Sequence, residues 1–465
     1  MKMKLLFMSS ILANTLAYSQ VVFIQSTLQS NSATRDAKIY DLDGDGDKDI
    51  VMTDRNSPSN LIWFENQGSG TFSAAIELYN YGANWQAGLE EFDLLDLDND
   101  GDVDIASVTI FGGEVVRFLN DGSQNFSMST IDHAGSFDAW IHGIDVSNDN
   151  YPEIISESIL YTNSGGVIDS NGIPLNTSGY SIVSHDFTGD GYQDIAMFTY
   201  FNEIVLLPNN GAGGFNAAQT IDSNLDFGYY WMSVSDLNDD GYMDILYPSS
   251  DYFPNSSNIM KWYESDGAGG FTNNDLFTVD TNYVVTHLIA QDMDNDGDND
   301  IVASLYQDQS YAGVIKCYWN DGTDGFDSSD YQIVTTDIEY TVSLSADDID
   351  SDGDIDILTG TFGGAGGVAW FQNQTVPNTT SKDFKETLHS QISISPNPSN
   401  GLVHISSHKT ITTTRVIDLT GRTIQTHSLF SNNTTIDLSS LMQGVYFIET
   451  VTINEQMEVQ KIVIN

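Results

Sequence analysis

The string Asp41-Leu42-Asp43-Gly44-Asp45-Gly46-Asp47-Lys48-Asp49-Ile50 is the first of seven related runs, the later ones beginning at Asp96, Asp145, Asp186, Asp236, Asp292 and Asp348. They are spaced by 55, 49, 41, 50, 56 and 56 residues. A unit of this size cannot bury its own apolar face, so the repeats must stack on one another. A second run follows most copies. It reads Trp63-Phe64-Glu65-Asn66-Gln67-Gly68-Ser69-Gly70-Thr71-Phe72 in the first repeat and Leu207-Pro208-Asn209-Asn210-Gly211-Ala212-Gly213-Gly214-Phe215 in the fourth. The sixth has Tyr318-Trp319-Asn320-Asp321-Gly322-Thr323-Asp324-Gly325-Phe326, and the third repeat shows no clear copy.

Between these runs the chain reads as strands. Ile50-Val51-Met52, Ile105-Ala106-Ser107-Val108 and Ile301-Val302-Ala303 are short and β-rich. Upstream of the acidic runs apolar residues alternate: Ile39, Leu94, Val234 and Ala290 two places before, Phe92, Ile141, Ile182, Met232, Leu288 and Leu344 four places before. Nothing in the repeats has a helical period with caps. About four strands per repeat and seven repeats predict an all-β fold, a seven-bladed β-propeller. The last repeat stops after Val368-Ala369-Trp370-Phe371-Gln372-Asn373, and Val22-Phe23-Ile24-Gln25 stands ahead of the first without a blade of its own. This N-terminal strand is expected to complete the seventh blade and close the ring.

The acidic loops follow Asp-x-(Asp/Asn/Ser/Thr)-x-Asp-Gly-x-x-Asp. Oxygen ligands at alternate places around a glycine turn suit a hard cation, and Ca²⁺ takes 6–8 of them. In the first loop Asp41, Asp43, Asp45 and Asp49 are the expected side-chain ligands, with Asp47 offering its carbonyl. The same places are held by Asp96, Asp98, Asp100 and Asp104 with Asp102, by Asp292, Asp294, Asp296 and Asp300 with Asp298, and by Asp348, Asp350, Asp352 and Asp356 with Asp354. Two loops have one neutral ligand: Asp186, Thr188, Asp190 and Asp194 with Tyr192, and Asp236, Asn238, Asp240 and Asp244 with Tyr242. The loop of Asp145, Ser147, Asp149 and Glu153 departs furthest, with Asn150 in place of the glycine. An EF-hand is excluded, because its twelfth position carries Glu and here it is Met52, Ser107, Ser156, Met197, Tyr247, Ala303 or Thr359. Up to seven Ca²⁺ are expected, the Asp145 loop being the weakest candidate.

Asp-x-Asp-Gly-Asp-Gly-x-x-Asp-Ile followed by Asn-x-Gly-x-Gly-x-Phe resembles the FG-GAP/VCBS repeats of bacterial surface propellers, similar to the head of integrin α chains. The resemblance covers about residues 21–376. It implies that each Asp loop is a calcium-bound hairpin between the two innermost strands of a blade.

Charge divides the chain. With 66 acidic and 15 basic residues the net charge is −51. Residues 377–465 hold 7 acids and 6 bases, which leaves residues 20–376 with 59 acids, 7 bases and a net charge of −52. Such a surface excludes nucleic acid as a partner, since phosphate binding needs a basic footprint. The division predicts a propeller over 20–376, a linker over 377–391 and a small β-sandwich over 392–465. The tail's motifs are Ile394-Ser395-Pro396-Asn397-Pro398, Val416-Ile417-Asp418-Leu419-Thr420-Gly421-Arg422 and Gly444-Val445-Tyr446-Phe447-Ile448. They resemble the C-terminal sorting domain of the type IX secretion system, which implies passage across the outer membrane and an encounter with that machinery. The other end agrees: Met1-Lys2-Met3-Lys4, an apolar run from Leu5 to Leu16 and Ala17-Tyr18-Ser19 read as a signal peptide over 1–19. No run is long enough to span a bilayer as a helix. The single cysteine, Cys317, allows no disulfide within the chain.

No nucleophile elbow, phosphate loop or spaced His cluster appears. The expected functional surface is the face opposite the Asp loops, reached by Trp85, Trp140, Tyr229, Tyr230, Trp231 and Tyr283 before the innermost strands. Phe111, Tyr200, Phe201, Tyr252, Phe253, Tyr306 and Tyr311 reach it after the second strands. Five places before each Asp loop stand Asp36, Glu91, Trp140, Ser181, Trp231, His287 and Ser343, a ring at the mouth of the channel. Of these, Trp85, Glu91, Trp140, Trp231 and His287 are the candidate ligand contacts. Rigid amphipathic rings beside Asn, Asp and Ser suit a glycan or a surface protein. The alternative is a polysaccharide-active enzyme of the lyase type.

Overall fold

The computed structural model describes residues 21–464 except 31–33, 55–58, 83–87, 110–112, 134–139, 226–230, 250–258, 280–282, 308–311, 321, 323–325, 363–366, 375–391, 396–398, 400, 418–421, 442 and 453–456. The proposed signal peptide, Trp85, Phe111, Tyr229, Tyr230, Tyr252, Phe253 and Tyr311 lie outside the described residues. The chain divides between residues 377 and 378 into two compact units.

The first unit is seven antiparallel sheets of four strands each. Blade 1 is Thr34–Tyr40, Asp49–Asp54, Ser59–Phe64 and Ile76–Gly82. Blades 2 to 6 begin at Leu89–Leu95, Ile141–Ile144, Gly179–His185, Ser233–Ser235 and Tyr283–Gln291. Blade 7 has Tyr340–Asp347, Asp356–Phe362 and Gly367–Asn373 from the end of the unit. Its outer strand is Phe23–Ser30 from the beginning, paired Phe23↔Asn373 through Ser30↔Gly367. The ring therefore closes by the N-terminal strand, as the unmatched Val22–Gln25 run predicts. Blade 3 carries an extra two-stranded hairpin, Asn163–Ser164 with Val167–Ile168.

The core is not central. Seven apolar clusters each lie between two adjacent blades, such as Ile50, Met52, Ile62 and Phe64 of blade 1 against Leu358, Val368 and Trp370 of blade 7. Val51, Leu61 and Trp63 of the same blade face Phe92, Ile105 and Phe118 of blade 2. Successive residues of a strand point to opposite faces, and both faces of the second strand are covered. That is why Asp49–Asp54 is buried throughout and reads as a continuous apolar run flanked by polar ends. Phe72 of blade 1 meets Trp370 of blade 7 edge-on at 5.6 Å.

The second unit is one sheet of five strands. Leu402–Ile417 pairs first with Ile392–Ser395, then with Gly444–Thr452, while Thr423–Asp437 follows its other edge. Register shifts between Ser406 and Thr413 mark the bend. The sheet curls over a core of Val403, Ile405, Ile411, Val416, Ile436, Ile448 and Ile462. The expected sandwich is thus built by curling a single hydrogen-bonded sheet. Among the described residues no helix is long and apolar enough to cross a membrane.

Candidate functional site

Each Asp loop is the hairpin joining the two innermost strands of its blade. In the sixth blade the Asp292 carboxylate accepts the backbone N–H groups of Asp296 and Gly297, both at 3.0 Å. Asp296 in turn accepts from Asp298 N at 3.0 Å. The turn needs a left-handed residue at the sixth place, and Gly297 has φ 101°. The same bonds recur in the loops at Asp96, Asp145, Asp186, Asp236 and Asp348. Even the degenerate loop keeps them, with Asn150 at φ 65° in place of glycine.

The ninth residue is a latch. Asp300 accepts Met293 N at 3.0 Å and Asn320 N at 2.8 Å, so one carboxylate ties the loop to the end of the third strand. Asp49, Asp104, Asp244 and Asp356 do the same. Among the described residues Glu153 keeps only the loop side of the latch, accepting Val146 N at 2.7 Å.

Neighbouring blades interlock through the two repeated motifs. Asn66 Nδ2 donates to Lys48 O of its own loop and to Ile349 O at the second place of the blade 7 loop, at 3.0 and 2.8 Å. Asn209 joins Gln193 O and Val146 O, and Asn373 joins Ile355 O and Met293 O. In blade 3 the role falls to Asn163, which reaches Pro152 O and Leu97 O. The third repeat therefore does have the second motif, as Asn163-Ser164-Gly165-Gly166, a copy too reduced to see by its spacing. The following glycine lies against the third place of the preceding loop. A Cβ on Gly70 would come 2.9 Å from Asp350 Cβ, and one on Gly166 would come 3.0 Å from Asp98 Cβ.

This cover buries the ligand atom at the third place of the loop. Asp98 Oδ1, Ser147 Oγ and Asp350 Oδ1 are shielded from solvent and receive no hydrogen bond within the protein. Buried polar atoms are normally satisfied, so these oxygens call for another partner. In four loops three carboxylates bring ligand atoms within 4.8 Å of one another: Asp41, Asp43 and Asp45; Asp96, Asp98 and Asp104; Asp292, Asp294 and Asp296; Asp348, Asp350 and Asp356. These are the four loops with a full set of acids. An all-oxygen donor set, converging and partly unsatisfied, fits a hard cation. Burial pushes Asp49, Asp104 and Asp244 up to about 6, Asp294 and Asp356 to about 7 and Asp300 to about 8, with neighbouring loop carboxylates adding to it.

The expected ligand ring is placed as follows. Trp140 is 3% exposed, and its indole donates to Gly179 O of the next blade at 2.6 Å. Trp231 stacks on His287 at 5.3 Å and 14°, and burial holds that imidazole at about 3. Glu91 is half-buried, its carbonyl taking Ser107 Oγ at 2.7 Å. Ser181 accepts Met232 N, and Ser343 accepts Gly360 N. Trp140 and the Trp231–His287 pair thus serve as contacts within the propeller. Successive hairpins of a meander alternate ends, so the Thr199–Glu203 turn lies opposite the Asp loops. There Tyr200 is 40% and Phe201 79% exposed. Tyr180 meets Tyr200 at 4.4 Å and leads inward to Phe198 and Tyr247. Tyr306 is fully buried.

Two family models match: an FG-GAP-like repeat over residues 41–107, 186–247 and 292–359, and a secretion system C-terminal sorting domain over 393–465. No curated protein sequence matches the chain. Among solved structures it is similar to BBS1N in complex with ARL6DN, at 9% identity over 77% of this chain and 98% of that one, TM-score 0.46. It is also similar to Sqt1 of Saccharomyces cerevisiae, at 13% over 71% and 82%, TM-score 0.43. The Dos1 propeller gives 12% over 70% and 75%, TM-score 0.41. The chain is a secreted seven-bladed β-propeller of FG-GAP-like repeats that ends in a sorting domain for type IX export to the cell surface or beyond.

Proposed function

We propose that the propeller is a calcium-stabilised binding module that recognises a glycan or a surface protein through the face opposite its Asp loops. Calcium is supported by loop carboxylates that converge, with Asp98 Oδ1 and Asp350 Oδ1 buried and without a hydrogen-bond donor. Recognition is supported by one observation above all: Phe201 stands 79% exposed in the Thr199–Glu203 turn, beside Tyr200, whose ring packs through Tyr180 and Phe198 toward the core. A large ring held outward from a rigid scaffold contributes contact area without loss of much conformational freedom. The export signals fit a surface role, with residues 1–19 removed first and the segment after about Gln391 removed at the surface. Intact-mass spectrometry of the exported form checks both cuts, and an uncut C-terminus there contradicts the second.

A glycan and surface-protein array, run in calcium, tests recognition. Phe201→Ala should weaken binding by roughly thirtyfold, the value of a central anchor of about 2 kcal/mol. Binding unchanged in Phe201→Ala and in Tyr200→Ala together refutes this face.

A further inference from the structure

We propose that Ser184, His142 and Asp93 form a nucleophilic site on the innermost strands of blades 4, 3 and 2, able to cleave a small carboxylic ester such as an O-acetyl group. The three residues come from three different repeats and meet at the centre of the ring. His142 Nε2 lies 2.8 Å from Ser184 Oγ. On the other side His142 Nδ1 lies 3.8 Å from Asp93 Oδ2. In the tautomer that carries its proton on Nδ1, the side near the Asp93 carboxylate, Nε2 accepts and the serine hydroxyl donates to it. That is the hydrogen bond a general base needs to activate a hydroxyl nucleophile.

Asp93 is held in place by other groups. Lys38 Nζ of blade 1 donates to Oδ1 at 3.0 Å, and Gly143 N donates to Oδ2 at 2.8 Å. Burial opposes ionisation of Asp93, but the Lys38 cation, helped by the Gly143 N–H, outweighs it and keeps the carboxyl below its ordinary range. Burial holds His142 below its ordinary value, so the imidazole is neutral and can accept a proton. The side chains of Asp93 and His142 are each 22% exposed, and Ser184 is half-buried, so the group is reachable.

Ser184 Oγ adds to the ester carbonyl carbon while its proton passes to His142 Nε2. The carbon–oxygen bond to the alcohol breaks, and the alcohol leaves with that proton. A water molecule, deprotonated by the same nitrogen, then adds to the acyl-serine. The carboxylic acid departs, and the hydroxyl of Ser184 is restored. Ser184 and His142 are the catalytic residues, and Asp93 is a positioning residue.

The calcium-loaded full chain is treated with diisopropyl fluorophosphate, followed by intact-mass spectrometry and peptide mapping. One adduct per chain, mapped to Ser184, is expected. Ser184→Ala should take up none, and His142→Asn should label at least about a hundredfold more slowly. Asp93→Asn should slow labelling while leaving the stoichiometry at one. Melting temperature in calcium reports whether each variant folds, and the mapped site in the unaltered chain serves where a variant does not. No adduct on the unaltered chain, an adduct elsewhere, or His142→Asn labelling at the original rate overturns the proposal. None of these readouts depends on glycan binding, so they stand apart from the recognition face.

Discussion

The loops at Asp292 and Asp145 share one backbone design and differ in charge. Both use the first carboxylate to take the N–H groups at the fifth and sixth places. The Asp292 loop holds five acids between residues 292 and 300, whereas the Asp145 loop holds three between 145 and 153. Asp300 is pushed to about 8 by burial, with Asp294 and Asp296 adding to the rise. Glu153 is also raised, again mainly by burial, with Asp145 the acidic neighbour that adds to it. The hydrogen bonds that shape the turn therefore do not need the extra carboxylates. Those carboxylates add repulsion that only a cation, or protons, can relieve.

Removing calcium should have the largest effect. The seven loops concentrate 30 of the 66 acidic residues. Unit charges ~4 Å apart repel by about 4 kcal/mol at an effective dielectric of 20. A cation bound only by the folded chain contributes about 2.7 kcal/mol per site at a hundredfold excess over Kd. Chelation should therefore lower the melting temperature sharply and open the propeller to protease, since no disulfide backs it up. In calcium, Asp292→Ala with Asp296→Ala should cost about that single-site amount, and Asp145→Ala less. A melting temperature indifferent to chelator, with the protein confirmed metal-free, removes the basis of the contrast.

The next effect is of pH on the metal-free protein. Asp294, Asp300 and Asp356 titrate in the fold at about 7, 8 and 7. In the unfolded chain Asp titrates near 3.9. A raised carboxyl contributes stability that is complete below about pH 4 and is lost as pH climbs through 7 to 8. In chelator the melting temperature should fall from pH 5.5 to pH 8. With calcium the gain from the ion should grow over the same range, because the ligands must be deprotonated. Melting curves at the two pH values, with and without calcium, check the sign. A metal-free protein that gains stability toward pH 8 contradicts it.

The repeat count, the closure by the N-terminal strand and the loop hairpins were legible because they rest on spacing and alternation within the chain. The interlock was not. Asn66 was visible as part of a motif, but that its amide reaches Ile349 O depends on which blade stands beside which. Asn163 escaped because the blade 3 hairpin lacks the closing Phe. Trp140 read as a surface ring, yet its burial follows from Gly179 in the next blade. Asp93 and His142 stand three places before their loops and Ser184 two places before its own, but that the three side chains meet depends on which blades are neighbours. Sequence periodicity shows the faces of a blade, and contacts around the ring need the ring.

Breaking the interlock should cost less than losing a full metal site. Asn66→Ala removes the donations to Lys48 O and Ile349 O, at about 1 kcal/mol net for each hydrogen bond. Asn120, whose side-chain amide donates to Val103 O of its own loop, should cost less when changed to Ala. Thermal melts of the two variants in calcium compare them directly. Equal losses would mean that the clip between blades adds nothing to the bond within the blade.

The smallest effect is also the most direct test of the comparison. Ser147 occupies the third place of the Asp145 loop, and its buried Oγ has no hydrogen-bond partner. Ser147→Asp supplies the carboxylate that Asp294 supplies in the sixth blade, without altering the backbone bonds that already shape the turn. In calcium the variant should match or slightly exceed the unaltered melting temperature, by no more than about 1 kcal/mol, since the new charge is met by the ion. In chelator it should be less stable than the unaltered chain, because the carboxylate is then buried beside Asp145 and Asp149 with nothing to offset it. The expected signature is thus a widening of the gap between the calcium and chelator melts, with little change in the calcium value itself. A variant equally destabilised in both conditions would show that the third place of this loop does not face a cation. The two loops would then differ in more than their number of acids.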